Sequence, residues 1–201
     1  MADEHDHDHD HEHEHHHHKH RPLSYEDEVA GFRADKDAFF GSNAQSPIPE
    51  ADRPTFTGLP YYDIDPDWRF EDLELRPYEG DLPSDFQIPT SDGRLRPAHR
   101  AGVLRFERDG AAHGLTAYTF DGDDDRSLFV PFLDATSGTE TYGAGRYLDL
   151  EPEDDGTYSL DFNLAYHPSC VYDPKYSCPL TPAENRLPMR IEAGERLPSD
   201  A

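Results

Sequence analysis

The sequence predicts a mainly β chain, an antiparallel sandwich or partly open barrel with one N-terminal helix packed outside. Three observations carry that expectation: about seven short runs of alternating apolar and polar residues, turn residues between them, and one stretch with helical start and stop signals. The 201 residues suit one ordinary domain with an appendage. Only 34% of them are hydrophobic, but 11 Tyr, 11 Phe and 1 Trp supply the area for a core. Residues 1–21 are a His/Asp/Glu-rich tail, too polar to bury anything and expected to be disordered; residues 22–201 are expected to form a single β-rich domain.

Taken in order, SYEDEVAGFRADKDAFFG reads as a helix with Ser24 as N-cap, Asp27 completing a capping box and Gly41 as the stop. Tyr25, Val29, Phe32, Phe39 and Phe40 fall near one face, leaving Arg33, Lys36 and Asp37 for a solvated margin. Prolines 47, 49, 54, 60 and 66 forbid regular structure from Ser42 to Asp67, so this segment wraps irregularly, anchored by Phe56, Tyr61 and Tyr62. Strand signals begin after Trp68. Leu73 and Leu75 alternate with acids, as do Phe86 and Ile88 with polar residues before the turn at Asp92-Gly93. GVLRFERDGAAHGLTAYTF forms a hairpin around Asp109-Gly110, which sets Phe106 opposite His113 and Leu104 opposite Leu115. SLFVPFLD gives another strand. RYLDLEPEDDGTYSLDFNLAY reads as a second hairpin, with a three-residue turn Asp154-Asp155-Gly156 pairing Leu148 with Phe162 and Leu150 with Leu160.

The formal charge is −25, which repels a phosphate backbone and excludes nucleic acid as a partner. Seven acids against one lysine in the first twenty residues account for only −6 of it, leaving −19 on the other 181. Acidity this general, with only three lysines, suits a halophilic cytosol in which salt screens the repulsion. No apolar run approaches the length of a spanning helix, and the N-terminus has acids and histidines where a secretory signal has bases and an apolar block. The expectation is a soluble, cytoplasmic protein away from membranes.

LFVPFLDATSGTETYGAGRYLDL, followed by LDFNLAYHPSCVYDPKYSCPLTPAENRLPMRIEAGE, resembles the prokaryotic family known as domain of unknown function 1684. The likeness extends upstream through RADKDAFF and FTGLPYYDIDPDWRF, over about residues 24–195, and omits the tail. It implies a shared β-rich fold and no particular activity. His167 and Thr181 stand where such sequences usually have asparagine and proline.

The predicted second hairpin places Asp149 opposite Asp161 and Tyr147 opposite Asn163, away from the apolar face. Like charges facing each other across a sheet are unfavourable, so the pair either lies on a solvated face or holds a cation or divides into acid and base. Glu140, Tyr142 and Arg146 are the neighbours that would complete such a site. If Asp149 and Asp161 merely repel, neutralising one should leave stability unchanged or raise it.

Cys170 and Cys178, with His167, offer soft ligands at a spacing wider than a typical zinc pair; a disulfide, a reduced pair and a metal site are all open. No nucleophile elbow, phosphate loop or dinucleotide fingerprint occurs. The tail holds ten of the 13 histidines: His5, His7, His9, His11, His13, His15, His16, His17, His18 and His20, with acids interleaved as far as His15. Neutral imidazole is the usual ligand of Zn, Ni and Cu, so divalent metal ions are the expected partners and Zn or Ni the expected occupants. Three functions compete: a non-enzymatic binding protein whose tail captures transition metals, a small hydrolase-like or isomerase-like enzyme built on the carboxylate pair, and a structural interaction module.

Overall fold

The computed structural model describes residues 22–122 and 126–198. Helix α1 spans Tyr25–Ser42 and opens on the predicted capping box: the Asp27 amide donates to Ser24 Oγ at 3.2 Å, and the Ser24 amide donates to the Asp27 carboxylate at 3.4 Å. The helix continues one residue past Gly41 and is closed by the Asn43 amide donating to the Phe39 carbonyl.

Its inward face differs from the expectation. Val29 and Phe40 are buried, whereas Phe32 and Phe39 are exposed. The stripe that docks is Val29, Arg33, Lys36 and Phe40, at helical spacing, and its polar members bind what they cover. Arg33 donates to the carbonyls of Tyr62 (2.9 Å) and Asn163 (3.2 Å), and Lys36 lies 2.5 Å from buried Glu195. Asp37 accepts from the Leu59 amide at 2.9 Å. Arg33 and Asp37 satisfy irregular backbone that has no ladder partners and Lys36 pairs a buried carboxylate, which is why polar residues serve where an apolar stripe was expected.

The proline-rich wrap follows, with single 3-10 turns at Arg53–Thr55 and Pro66–Trp68 and with Tyr62 and Trp68 buried. Among the described residues seven strands then build two antiparallel sheets. Strands β2 (Asp85–Pro89), β3 (Leu95–Arg108), β4 (Ala111–Thr119), β5 (Leu128–Phe132) and β6 (Arg146–Leu150) form one in that order. Strands β1 (Arg69–Leu73) and β7 (Tyr158–Asp161) form the other. The β3–β4 hairpin turns at Asp109 (φ 53°) and Gly110 (φ 74°), the left-handed pair that a tight two-residue turn demands, and it pairs Leu104 with Leu115 and Phe106 with His113 as predicted.

Strands β4 and β5 meet only at Tyr118 and Phe129. Beyond that point the buried Asn185 side chain fills the wedge, accepting from the Thr116 amide at 2.8 Å and donating to the Thr116 and Pro131 carbonyls at 2.7 Å each. Phe162 sits at the centre of the core, with the rings of Trp68, Phe70, Phe106 and Phe132 within 5.1–6.1 Å of its own.

The second predicted hairpin does not form. Its turn is right: the Glu153 amide donates to the Thr157 carbonyl at 2.8 Å, and Gly156 takes φ 87°. Its arms part, however. β6 pairs with β5, placing Asp149 opposite Phe129 and Leu148 opposite Val130, while β7 pairs with β1, placing Asp161 opposite Arg69 and Leu160 opposite Phe70. Tyr147, expected opposite Asn163, lies between Pro131 and Tyr166. A continuous ladder would have opposed Asp149 to Asp161 and run through Pro152, which has no N–H to donate; dividing the arms between two sheets avoids both costs.

Candidate functional site

The parted arms leave a fork. Helix α1 crosses it, and the space beneath is an open groove of about 570 Å³. Val29, Phe32, Leu148, Leu150 and Leu164 supply apolar lining; Tyr25, Tyr166, Arg69 and five carboxylates supply polar lining. Because β6 pairs with β5, Asp149 on β6 and Glu151 just after it line one side of the fork, with Glu153 at the turn and Asp161 at the end of β7 completing the lining. Glu28 is presented by the first turns of α1.

Both aspartates singled out in the sequence line this groove, on different strands and in different settings. Asp161 is buried, and both its oxygens are engaged. The Tyr25 hydroxyl donates to them at 2.9 and 2.8 Å, and the Asn163 amide and side chain add bonds to Oδ1 at 2.9 and 3.1 Å. Burial first, and then the Asp161 carboxylate, push the Tyr25 phenol well above its ordinary range, so it stays a neutral donor. Asn163 completes the hub by accepting from the Asp65 amide (3.0 Å) and donating to the Asp65 carbonyl (2.8 Å). Asp149 is exposed on the rim and accepts from the Tyr166 hydroxyl at 2.5 Å. Arg69 lies 2.7 Å from Glu71, with its guanidinium 4.9 Å from the Tyr25 ring centre.

The other expected site residues go elsewhere. Arg146 is buried on the β6 face shared with Leu148 and Leu150, where it donates to the carbonyls of Ile191 (2.8 Å), Glu195 (3.1 Å) and Ala193 and stands 3.6 Å from buried Asp134. It staples the C-terminal strap to the sheet. Glu140 accepts from the Tyr62 hydroxyl at 2.9 Å and from Arg190 at 2.5 Å. The Tyr147 hydroxyl donates to the Pro179 carbonyl. The Tyr142 amide donates to His167 Nε2 at 3.2 Å. Of the seven residues expected to converge, only Asp149 and Asp161 line the groove.

Tyr25 and Phe32, expected on the helix's packed face, and Tyr166, to which no site role was given, line the groove. The available signal was a phenylalanine lying off the helix's docking stripe, which becomes visible only once that stripe is known.

Cys170 and Cys178 are free thiols, with the Cys170 amide donating to Cys178 Sγ at 3.3 Å. His167 is buried; its amide donates to Glu195 at 2.7 Å, and burial, followed by the charges of Arg146 and Lys36, pushes its imidazole down to about 3. With Nε2 occupied by the Tyr142 amide, it does not join the cysteines. Among the described residues, no cluster of three or more His, Cys, Asp and Glu side chains is arranged to hold a metal ion, and no helix is long and apolar enough to cross a membrane. The tail histidines, His5 to His20, lie outside the described residues.

The family profile described as "Protein of unknown function (DUF1684)" matches residues 54–196. The chain belongs to this DUF1684 family. It is also similar to an uncharacterized protein of Haloarcula marismortui solved in solution by NMR, at 41% identity and a TM-score of 0.62, over 85% of this chain and 92% of that one. No curated protein matches. The segments that carried the resemblance are largely architectural in this DUF1684 member. GRYLD supplies the Arg146 staple, LDFN supplies Asp161, Phe162 and Asn163, EN supplies the Asn185 wedge, and AGE supplies Glu195.

Proposed function

We propose that this DUF1684 protein is a non-enzymatic binding protein whose groove takes a small amphipathic organic cation. One observation carries the reading: apolar lining lies beside five carboxylates (Glu28, Asp149, Glu151, Glu153 and Asp161) and a single guanidinium, Arg69, which already faces Glu71 and Tyr25. The alkyl or aryl body of such a ligand rests against Phe32, Val29 and Leu164, and its ammonium end meets the rim at Asp149. The opposed register from which the catalytic alternative was read does not form, and both oxygens of Asp161 accept hydrogen bonds, so binding is the reading with more support.

Calorimetric titration with a medium-chain alkylammonium, its alcohol and its carboxylate tests the reading. Saturable binding of the ammonium alone is expected, weakened by salt and weakened about tenfold by Asp149→Asn, the loss of one exposed charge contact. Equal binding of the alcohol, or no binding of any of the three, overturns it.

A second reading concerns the tail, carried by its ten histidines within sixteen residues. We infer that it captures Zn or Ni independently of the groove. The full chain should bind either ion with affinity that falls as pH drops through about 6.5, where imidazole protonates. A chain beginning at Pro22 should lose that binding; undiminished stoichiometry would move the site to the folded residues.

A further inference from the structure

The loop His167–Leu180 carries two thiols that the groove reading leaves unused. It is bounded by Pro168 and Pro179 and held at both ends. Before it, Tyr166 exchanges backbone hydrogen bonds with Tyr147; at its far end, the Leu180 amide donates to the Pro89 carbonyl and the Ser91 amide to the Cys178 carbonyl. Within it the Tyr172 hydroxyl donates to Glu195 at 3.0 Å, and the Tyr172 ring stands edge-on to Phe40 of α1 at 5.4 Å. Cys178 is buried and Cys170 half-exposed. Cys178 Sγ is aimed back at the start of the loop, where it accepts from the Cys170 amide at 3.3 Å, which seats its sulfur against the backbone of Cys170. Two thiols held together in this way, one reachable and one protected, are placed as an attacking and a resolving sulfur.

We propose that Cys170 and Cys178 are a redox modification site at which a low-molecular-weight disulfide converts the thiol pair to an intramolecular disulfide. The Cys170 thiolate attacks one sulfur of the reagent, whose S–S bond breaks and releases one thiol, leaving a mixed disulfide on Cys170. The Cys178 thiolate then attacks the Cys170 sulfur, forming the protein disulfide and expelling the second thiol. Two protein thiols are oxidised, one reagent disulfide is reduced to two thiols, and the two protons leave with those thiols. Closing this loop constrains the unfolded chain and ties the segment carrying Tyr172 more firmly against α1.

Glutathione disulfide on the full chain is the test, read by thiol titration and intact mass. Loss of both thiols per chain is expected, with no retained glutathione, no dimer, full reversal by dithiothreitol and a melting temperature raised by several degrees. Burial pushes the Cys178 thiol up to about 11, so the resolving step should accelerate about tenfold per pH unit from neutrality towards that value. Cys178→Ser should stop at a stable glutathione adduct on Cys170, and Cys170→Ser should resist the reagent. Two titratable thiols persisting in excess reagent, stable adducts on both cysteines, or a disulfide between chains would each overturn the proposal, and the first is read without any variant.

Discussion

Asp161 accepts from the Tyr25 hydroxyl, the Asn163 amide and the Asn163 side chain, so it works as an acceptor hub rather than as a charge facing another charge. An asparagine there returns one acceptor oxygen and sets an NH₂ group against donors. Bonds to a charged acceptor are worth roughly 1.5–3 kcal/mol each and are only partly lost, so Asp161→Asn should destabilise the fold by about 1–3 kcal/mol, a fall of several degrees in melting temperature. The sign is opposite to that expected for two repelling aspartates, and a thermal melt decides between them; an unchanged or higher midpoint would remove the hub. The sequence shows that Asp161 is unusual for a strand position but not why. Its partners Tyr25 and Asn163 lie 136 and 2 residues away, and only the fold brings the first of them near.

At the scale of elements, what was legible is what is local. The capping box of α1 and the Asp109-Gly110 turn depend on residues within a few positions of each other, and both form as read. The β6–β7 arms failed because their partners are set at long range: β5 and β1 compete for them, and no local rule weighs that competition. The docking face of α1 failed for a related reason, since Arg33, Lys36 and Asp37 find their partners only after the wrap and the strap are in place.

The segment closing β6 carries a pH-sensitive seat in His167. Its folded pKa, about 3, lies below the ordinary 6.5, so the unfolded chain takes up the proton first; its contribution to stability is intact above pH 6.5 and is lost as pH falls from 6.5 towards 3. The slope is at most about 1.4 kcal/mol per pH unit, the value for one proton taken up on unfolding; Glu195, whose carboxylate lies 3.7 Å from Nδ1, is the one neighbour that would favour the proton. Arg146 and Lys36 oppose it. His167→Gln keeps an acceptor for the Tyr142 amide and takes no proton. The variant should therefore lose less melting temperature than the parent between pH 6.5 and 5, and parallel curves would show that His167 accepts the proton without cost.

For the whole molecule, burial does almost nothing to the net charge. Among the described residues the buried acids are Asp134, Asp161 and Glu195 and the buried bases are Arg100 and Arg146, so burial withdraws only one net negative charge from their surface. Surface carboxylates at this density repel over the Debye length, about 10 Å at 0.1 M salt and about 3 Å at 1 M, and the compact state suffers more than the expanded chain. The melting temperature should therefore rise with KCl. The shape of the rise identifies its cause: screening gains most before about 0.5 M and then flattens, because the Debye length is by then comparable to a single contact, whereas a midpoint still climbing steeply above 1 M reports ion-specific exclusion from the surface. Replacing exposed rim acids such as Glu151 and Glu153 with glutamine should raise the midpoint at low salt and leave it unchanged at high salt. Equal midpoints for the parent in dilute buffer and in molar KCl would end the halophilic reading, since the acidity would then have no energetic consequence for salt to relieve.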